Sequence, residues 1–258
     1  MAFTGRVALV TGAASGMGRL AAQRLSGPGR SIAAVDVDAE GLASLAAEEP
    51  SVTPYECDIT DAGAVADVVE NVESEHGPVG RLCNIAGIGS GGPILDTPLE
   101  TFHKVMDVNY FGMVHVCAAV APLMVERGGG EIVNLASLAG WLPAPGMASY
   151  NASKFAAVAY TEVLAREMKP HGIRVLCVCP PQVDTPMLDV FIEEGAVPPK
   201  TREMKTTLQP SDVIDGIEPA LEAGKLFFFP GRGSTAMYRA RRYAPNLTWK
   251  AIRRAYDL

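Results

Sequence analysis

Seven short runs rich in Val, Ile, Leu and Ala punctuate this chain, at Arg6–Thr11, Ser31–Asp36, Val52–Cys57, Gly80–Asn84, Glu131–Ala136, Arg174–Cys179 and Leu226–Phe229. Each is apolar at odd and even positions alike. Each therefore needs cover on both faces, as a strand does in a parallel sheet between helices. Between them apolar residues recur at helical spacing: Met17, Leu20, Ala21 and Leu25 in Gly16–Leu25, and Val65, Val68, Val69 and Val72 in Asp61–Ser74. Phe102–Val125 and Tyr150–Met168 are longer helical stretches. The alternation predicts an α/β fold, a doubly wound parallel sheet of seven strands flanked by helices. Right-handed crossovers bring the strand C-terminal ends, and with them any site, to one edge.

A length of 258 residues suits one α/β domain. We expect that domain over residues 1–230, with a flap at 185–209, and a basic extension over 231–258. The extension sets Arg232, Arg239, Arg241, Arg242, Lys250, Arg253 and Arg254 against Asp257, in a chain of net charge −7. An acidic chain argues against nucleic acid as a partner. Apolar runs such as Val114–Met124 fall short of the ~18 residues of a spanning helix, and strand-like residues begin too early for a removable leader. The five cysteines (Cys57, Cys83, Cys117, Cys177 and Cys179) are odd in number and lack metal-ligand spacing, which points to reduced thiols and a cytoplasmic protein. His76, His103, His115 and His171 also lack ligand spacing, so no metal is expected.

Three groups of residues carry chemistry. Gly12, Ser15, Gly16, Met17 and Gly18 follow the first strand and open the first helix. Glycines there let the backbone approach a pyrophosphate, and the helix N-terminus offers N–H donors. Asp36 ends the second strand, where a carboxylate accepts from ribose hydroxyls and repels a 2′-phosphate, which favours NAD(H) over NADP(H). Tyr150 and Lys154 share one helix face at i, i+4, and a nearby ammonium favours tyrosinate. Ser137, at a strand end, is placed to hydrogen-bond a carbonyl or alcohol oxygen.

Thr11, Gly12, Gly16 and Gly18, then Asp36, Asp58-Ile59, Asn84-Ile85-Ala86-Gly87, Asn109, Ser137, Tyr150 and Lys154 stand in one order along the chain. In that order they resemble the motifs of the short-chain dehydrogenase/reductase family over roughly residues 4–230. Ile85 departs from the family's second Asn, and Pro181 stands where the family has Gly, before Val183 and Thr185. The resemblance implies a Rossmann-type fold with a catalytic set of Asn109, Ser137, Tyr150 and Lys154. It further implies that Asp58, Ile59, Asn84, Ala86, Gly87, Pro180, Val183 and Thr185 contact the dinucleotide, together with Tyr150 and Lys154. Tyr150 would exchange a proton with the substrate oxygen, Ser137 would orient it, and Lys154 would lower the Tyr150 pKa. Asn109 would support a water beside Lys154.

Leu138, Trp141, Leu142, Met147, Met187, Leu188, Phe191 and Ile192 are candidate pocket residues, with Gly89–Pro93 as another wall. Their apolar character suggests a lipophilic secondary alcohol or ketone. Family members are commonly homotetramers or homodimers built on the two long helices. For the basic extension three readings stand open: a solvated helix, a subunit contact, or weak contact with an anionic membrane surface. Two other functions are weighed. A 3-oxoacyl thioester reductase of the same family typically prefers NADP, against Asp36. A non-catalytic, dinucleotide-sensing interaction protein would not need the intact Asn109, Ser137, Tyr150 and Lys154.

Overall fold

The computed structural model describes residues 5–197 and 199–255. β1 (Val7–Thr11), α1 (Gly16–Leu25), β2 (Ser31–Asp36), α2 (Ala39–Glu48), β3 (Val52–Glu56), α3 (Ala62–His76) and β4 (Val79–Asn84) form the first half. α4 (Leu99–Met106), a π-helical turn (Asp107–Gly112) and α5 (Met113–Arg127) run on without a break, followed by β5 (Gly130–Leu135), α6 (Ala148–Met168) and β6 (Ile173–Val178). α7 (Pro186–Glu193), α8 (Pro210–Ile214), α9 (Ile217–Glu222), β7 (Phe227–Phe228), α10 (Ser234–Tyr243) and α11 (Pro245–Ala255) complete the chain.

The seven strands lie parallel in the order β3-β2-β1-β4-β5-β6-β7. The order reverses between β1 and β4, and a crevice opens outside the strand C-termini at such a switch point. Successive side chains of β1 serve opposite layers. Val7 and Leu9 pack with Val65, Val69, Val116 and Val120 of α3 and α5, while Ala8 and Val10 pack with Ala21, Ala22, Val213 and Ile217 on the other face.

Three features differ from the sequence reading. β3 is an edge strand, buried at Val52 but open at Pro54 and Glu56, which is where a strand proline is tolerated. α2 carries no long apolar stripe; Leu42 and Leu45 are its buried residues, and Asp38 caps it by accepting from Gly41 N at 3.0 Å. Finally, Leu99–Arg127 forms 29 continuous helical residues, enough by length and composition to cross a membrane, although the longest apolar run inside it is short. Its Met113, Val116, Cys117, Val120 and Met124 are consumed by the core under the sheet.

Candidate active site

The cradle at the switch point is set by two backbone contacts that exclude side chains. A Cβ on Gly18 would lie 1.9 Å from Gly12 O, and one on Gly12 (φ +70°) would lie 2.7 Å from Ala86 Cα. Thr11 Oγ1 accepts from both Ile85 N (3.1 Å) and Ala86 N (3.2 Å), so β1 holds the loop after β4 against the glycines. Asp36 is fixed at the tip of β2. Its Oδ2 accepts from Ala14 N at 3.0 Å and its Oδ1 from Asp38 N at 3.1 Å, and each oxygen keeps a lone pair for a further donor. Beside it Val37 is 63% exposed, an apolar surface suited to a flat base. Asp58 accepts from Thr60 N (2.9 Å), and Ile59 packs against Gly112 of the π-helical turn. A glycine-lined backbone cradle followed by a carboxylate fits a dinucleotide.

Asn109 sits in the π-helical turn, where the extra residue turns its amide inward. Its Oδ1 accepts from Ile88 N (2.7 Å), while Nδ2 donates to Ile88 O (3.0 Å) and Ser153 Oγ (3.0 Å). Ser137 Oγ accepts from Ala139 N (3.1 Å) and donates to Pro180 O (3.4 Å). Lys154 Nζ donates to Leu135 O at 3.1 Å and lies 5.7 Å from the centre of the Tyr150 ring. Gly87 leaves room here, since a Cβ would stand 3.5 Å from Nζ and 3.0 Å from Asn109 Oδ1.

Burial governs the two titrating groups. The Tyr150 hydroxyl is pushed up to about 12, with its hydrogen bond to Ser137 acting the other way. The Lys154 amine is brought down to about 8, because burial disfavours its charge. The sequence reading had Lys154 drawing Tyr150 toward neutrality. Burial of the hydroxyl pushes Tyr150 the other way and favours its protonated form in the protein alone. A further positive charge beside it would favour tyrosinate.

These groups line one cleft of about 2010 Å³. Gly12, Ser15, Gly16, Met17, Gly18, Asp36, Asp58, Ile59, Ala86, Gly87, Ser137, Tyr150, Lys154, Pro180, Val183 and Thr185 all face it, as do Leu138, Leu142, Met147, Met187, Leu188 and Phe191. Gly89 and Ser90 form part of a wall, and Pro93 does not. Phe191 of α7 meets the Tyr150 ring edge-on at 4.9 Å, so the flap lies directly over the acid.

Four further expected residues lie off the cleft. Asn109 stands one layer behind it, bracing Ile88. Asn84 points under the sheet edge and donates to Asn134 Oδ1 (2.9 Å) and Cys117 Sγ (3.2 Å), so its side chain does not line the cleft. Trp141 is also turned away. A tight 3-10 turn at Leu138–Gly140 packs on α6 and aims the indole at Phe227 (5.2 Å) and Tyr238 (4.7 Å). Ile192 packs behind the flap with Met147 and Phe191.

Pro181 faces the cleft without disturbing the path after it: Leu208 N donates to Gln182 O (3.0 Å) and Asp184 N to Leu208 O (2.8 Å), which pins the segment. Sequence reasoning missed the supports. Asn151 bridges Ala144 N and Ala139 O, and Asn134 donates to Thr161 Oγ1 at 3.0 Å. A polar residue inside the apolar run Glu131–Ala136 was the available signal, since buried amides need partners. The cleft-facing extension residues, Met237, Leu247 and Ile252 among them, were missed as well.

The sequence profile described as short chain dehydrogenase matches residues 6–194. The chain belongs to the short-chain dehydrogenase/reductase family. It is similar to 1-deoxy-11-beta-hydroxypentalenate dehydrogenase of Streptomyces avermitilis, 34% identical over 229 residues, which cover 86% of this chain and 83% of that protein. D-threitol dehydrogenase of Mycolicibacterium smegmatis is 38% identical over 185 residues, 70% of this chain and 71% of its own. Among solved structures, a short-chain dehydrogenase/reductase from Burkholderia phymatum in complex with NAD superposes with a TM-score of 0.86, at 28% identity over 96% of each chain. The family assignment makes this chain an oxidoreductase, and the all-parallel seven-stranded sheet is the fold of those relatives.

Proposed function

We propose that this chain interconverts a lipophilic secondary alcohol and the corresponding ketone, with NAD(H) as the redox partner. The observation that carries the reading is the convergence of Ser137, Tyr150 and Lys154 on the cleft that the glycine cradle and Asp36 also line. Gly12–Gly18, Asp36, Asp58 and Lys154 would hold the dinucleotide, and Asp36 would meet its ribose hydroxyls. When bound, the nicotinamide supplies or accepts the hydride. Ser137 would hydrogen-bond the substrate oxygen, and Tyr150 would give that oxygen its proton or take it away. Lys154, beside the ring, would stabilise the tyrosinate left behind. Asn109 would hold the Ile88 loop in place. Leu138, Leu142, Met147, Leu188 and Phe191 would exclude water from the reacting carbon.

Phe111, Phe155 and Val163 are 45%, 41% and 54% exposed on the long helices, which supports assembly of copies through those faces. The five cysteines are buried and unpaired, which supports a reducing, cytoplasmic setting.

Tyr150→Phe should retain NADH binding by titration while turnover of a responsive alcohol falls at least ~100-fold. Wild-type turnover would overturn the acid–base role. Asp36→Ala should weaken NADH and shift preference toward NADPH. An unchanged ratio of the two dissociation constants would remove the NAD assignment.

A further inference from the structure

We infer that α10 and α11 form the outer wall of the substrate site and select for substrates with an extended apolar part. The inference deepens, and rests on, the alcohol–ketone reading above. α10 turns Met237, Ala240 and Ala244 at its end toward the cleft, and α11 turns Leu247, Thr248 and Ile252. Met237, Ala240 and Ala244 are three and four residues apart and Thr248 and Ile252 four apart, which keeps each set on one face of its helix, with Leu247 next to Thr248. Met237 is 48% and Leu247 70% exposed, so this face borders the cleft without protein covering it. Of the extension's cations Arg232, at its start, borders the cleft, whereas the exposed Arg239, Arg242 and Lys250 and the half-buried Arg241 do not.

The wall is anchored to the catalytic region. Tyr238 stacks on Phe229 at 4.8 Å and meets Trp141 at 4.7 Å, and Ser234 Oγ donates to Pro230 O at 2.7 Å. Trp141 follows the 3-10 turn capped by Ser137, so the anchor and the candidate oxygen-binding serine share one stretch of chain. The cleft volume of about 2010 Å³ exceeds the ~300–1,000 Å³ usual for a ligand site, which leaves room for an elongated molecule beside a dinucleotide. The flap residues already enclose the region over Tyr150. The added wall matters only to a substrate that extends past them.

The test uses methyl ketones from butanone to dodecanone with the full chain. Dissociation constants are measured by calorimetry with NADH present, and kcat/KM is measured in parallel. In the wild type, each methylene that reaches the wall should tighten binding about fourfold, the factor equivalent to its burial. Leu247→Ala/Ile252→Ala should weaken dodecanone at least ~10-fold and leave butanone within about twofold. Leu247→Asp, a change at an exposed position that spares the fold, should act in the same direction. A flat length dependence in the wild type, or one that survives in both variants, overturns the wall. Turnover with an unaltered gradient sinks the wall alone. Graded binding that the variants lose, without turnover, supports the wall and sinks the alcohol–ketone reading.

Discussion

Lys154 shows how a single buried residue sets both chemistry and stability. Its amine is 3% exposed at residue level and titrates near 8 instead of its ordinary 10.5, because burial disfavours the charge. The unfolded chain therefore binds more protons than the folded one between about 8 and 10.5. Stability from this residue is present above 10.5 and is lost as pH falls through about 8. Tyr150 acts with the opposite sign: its hydroxyl, raised to about 12, makes the folded state lose stability as pH climbs from 10 toward 12. Urea midpoints measured from pH 7 to 11 should therefore rise and then turn over in the wild type. Lys154→Met should remove the rise between 8 and 10.5 and keep the later fall. Parallel curves for the two proteins would show that Lys154 is charged at no penalty in the folded state.

At the scale of elements, the π-helical turn decides where Asn109 points. An uninterrupted α-helix across Asp107–Gly112 would rotate the residues after it by most of a turn step, and the amide would leave Ile88. The three hydrogen bonds it makes join this helix to the loop after β4 and, through Ser153, to α6. Asn109→Ala leaves the half-buried Ile88 N–H without its acceptor and removes two further hydrogen bonds, a loss of about 1 kcal/mol or more. The urea midpoint should drop accordingly and NADH affinity should fall with it. An unchanged midpoint would mean that water replaces the amide. The resemblance names Asn109, but nothing in its spacing reveals the π turn, because one extra residue in a helix leaves the apolar pattern nearly intact. Trp141 went astray for a similar reason: adjacency to Ser137 in sequence does not fix the direction a 3-10 turn gives the next side chain.

Across the whole molecule, the cleft and the opposite edge of the sheet do different work. Arg81, 2% exposed, is held by Glu131 of β5 and by Glu218 of α9, whose Oε2 lies 2.7 Å away. The set ties two central strands to a helix of the other layer, and none of the three lines the cleft. Arg81→Ala leaves Glu131 with Arg174 as its remaining cation and removes the partner of Glu218, a loss of about 1–3 kcal/mol for the broken charged hydrogen bonds. Thermal unfolding should move down while KM stays level in protein that remains folded. No shift would mean that Arg174 alone neutralises Glu131.

The fold was legible because its signal is periodic and local. Runs such as Val7–Thr11 and Arg174–Cys179 are apolar on both faces, and only a covered parallel strand suits them. The glycine loop, Asp36 and the Tyr150–Lys154 pair were legible because each stands at its place in an ordered set of family motifs, and the i, i+4 spacing of the last pair puts both on one helix face. Tertiary structure alone decided that Asn84 turns under the sheet toward Asn134, that Trp141 meets Tyr238, and that residues of the basic extension line the cleft. Those outcomes depend on contacts between residues tens to about a hundred positions apart. An apolar stripe on α10 or α11 announces that something must cover it, and only the folded chain shows that the neighbour is the cleft.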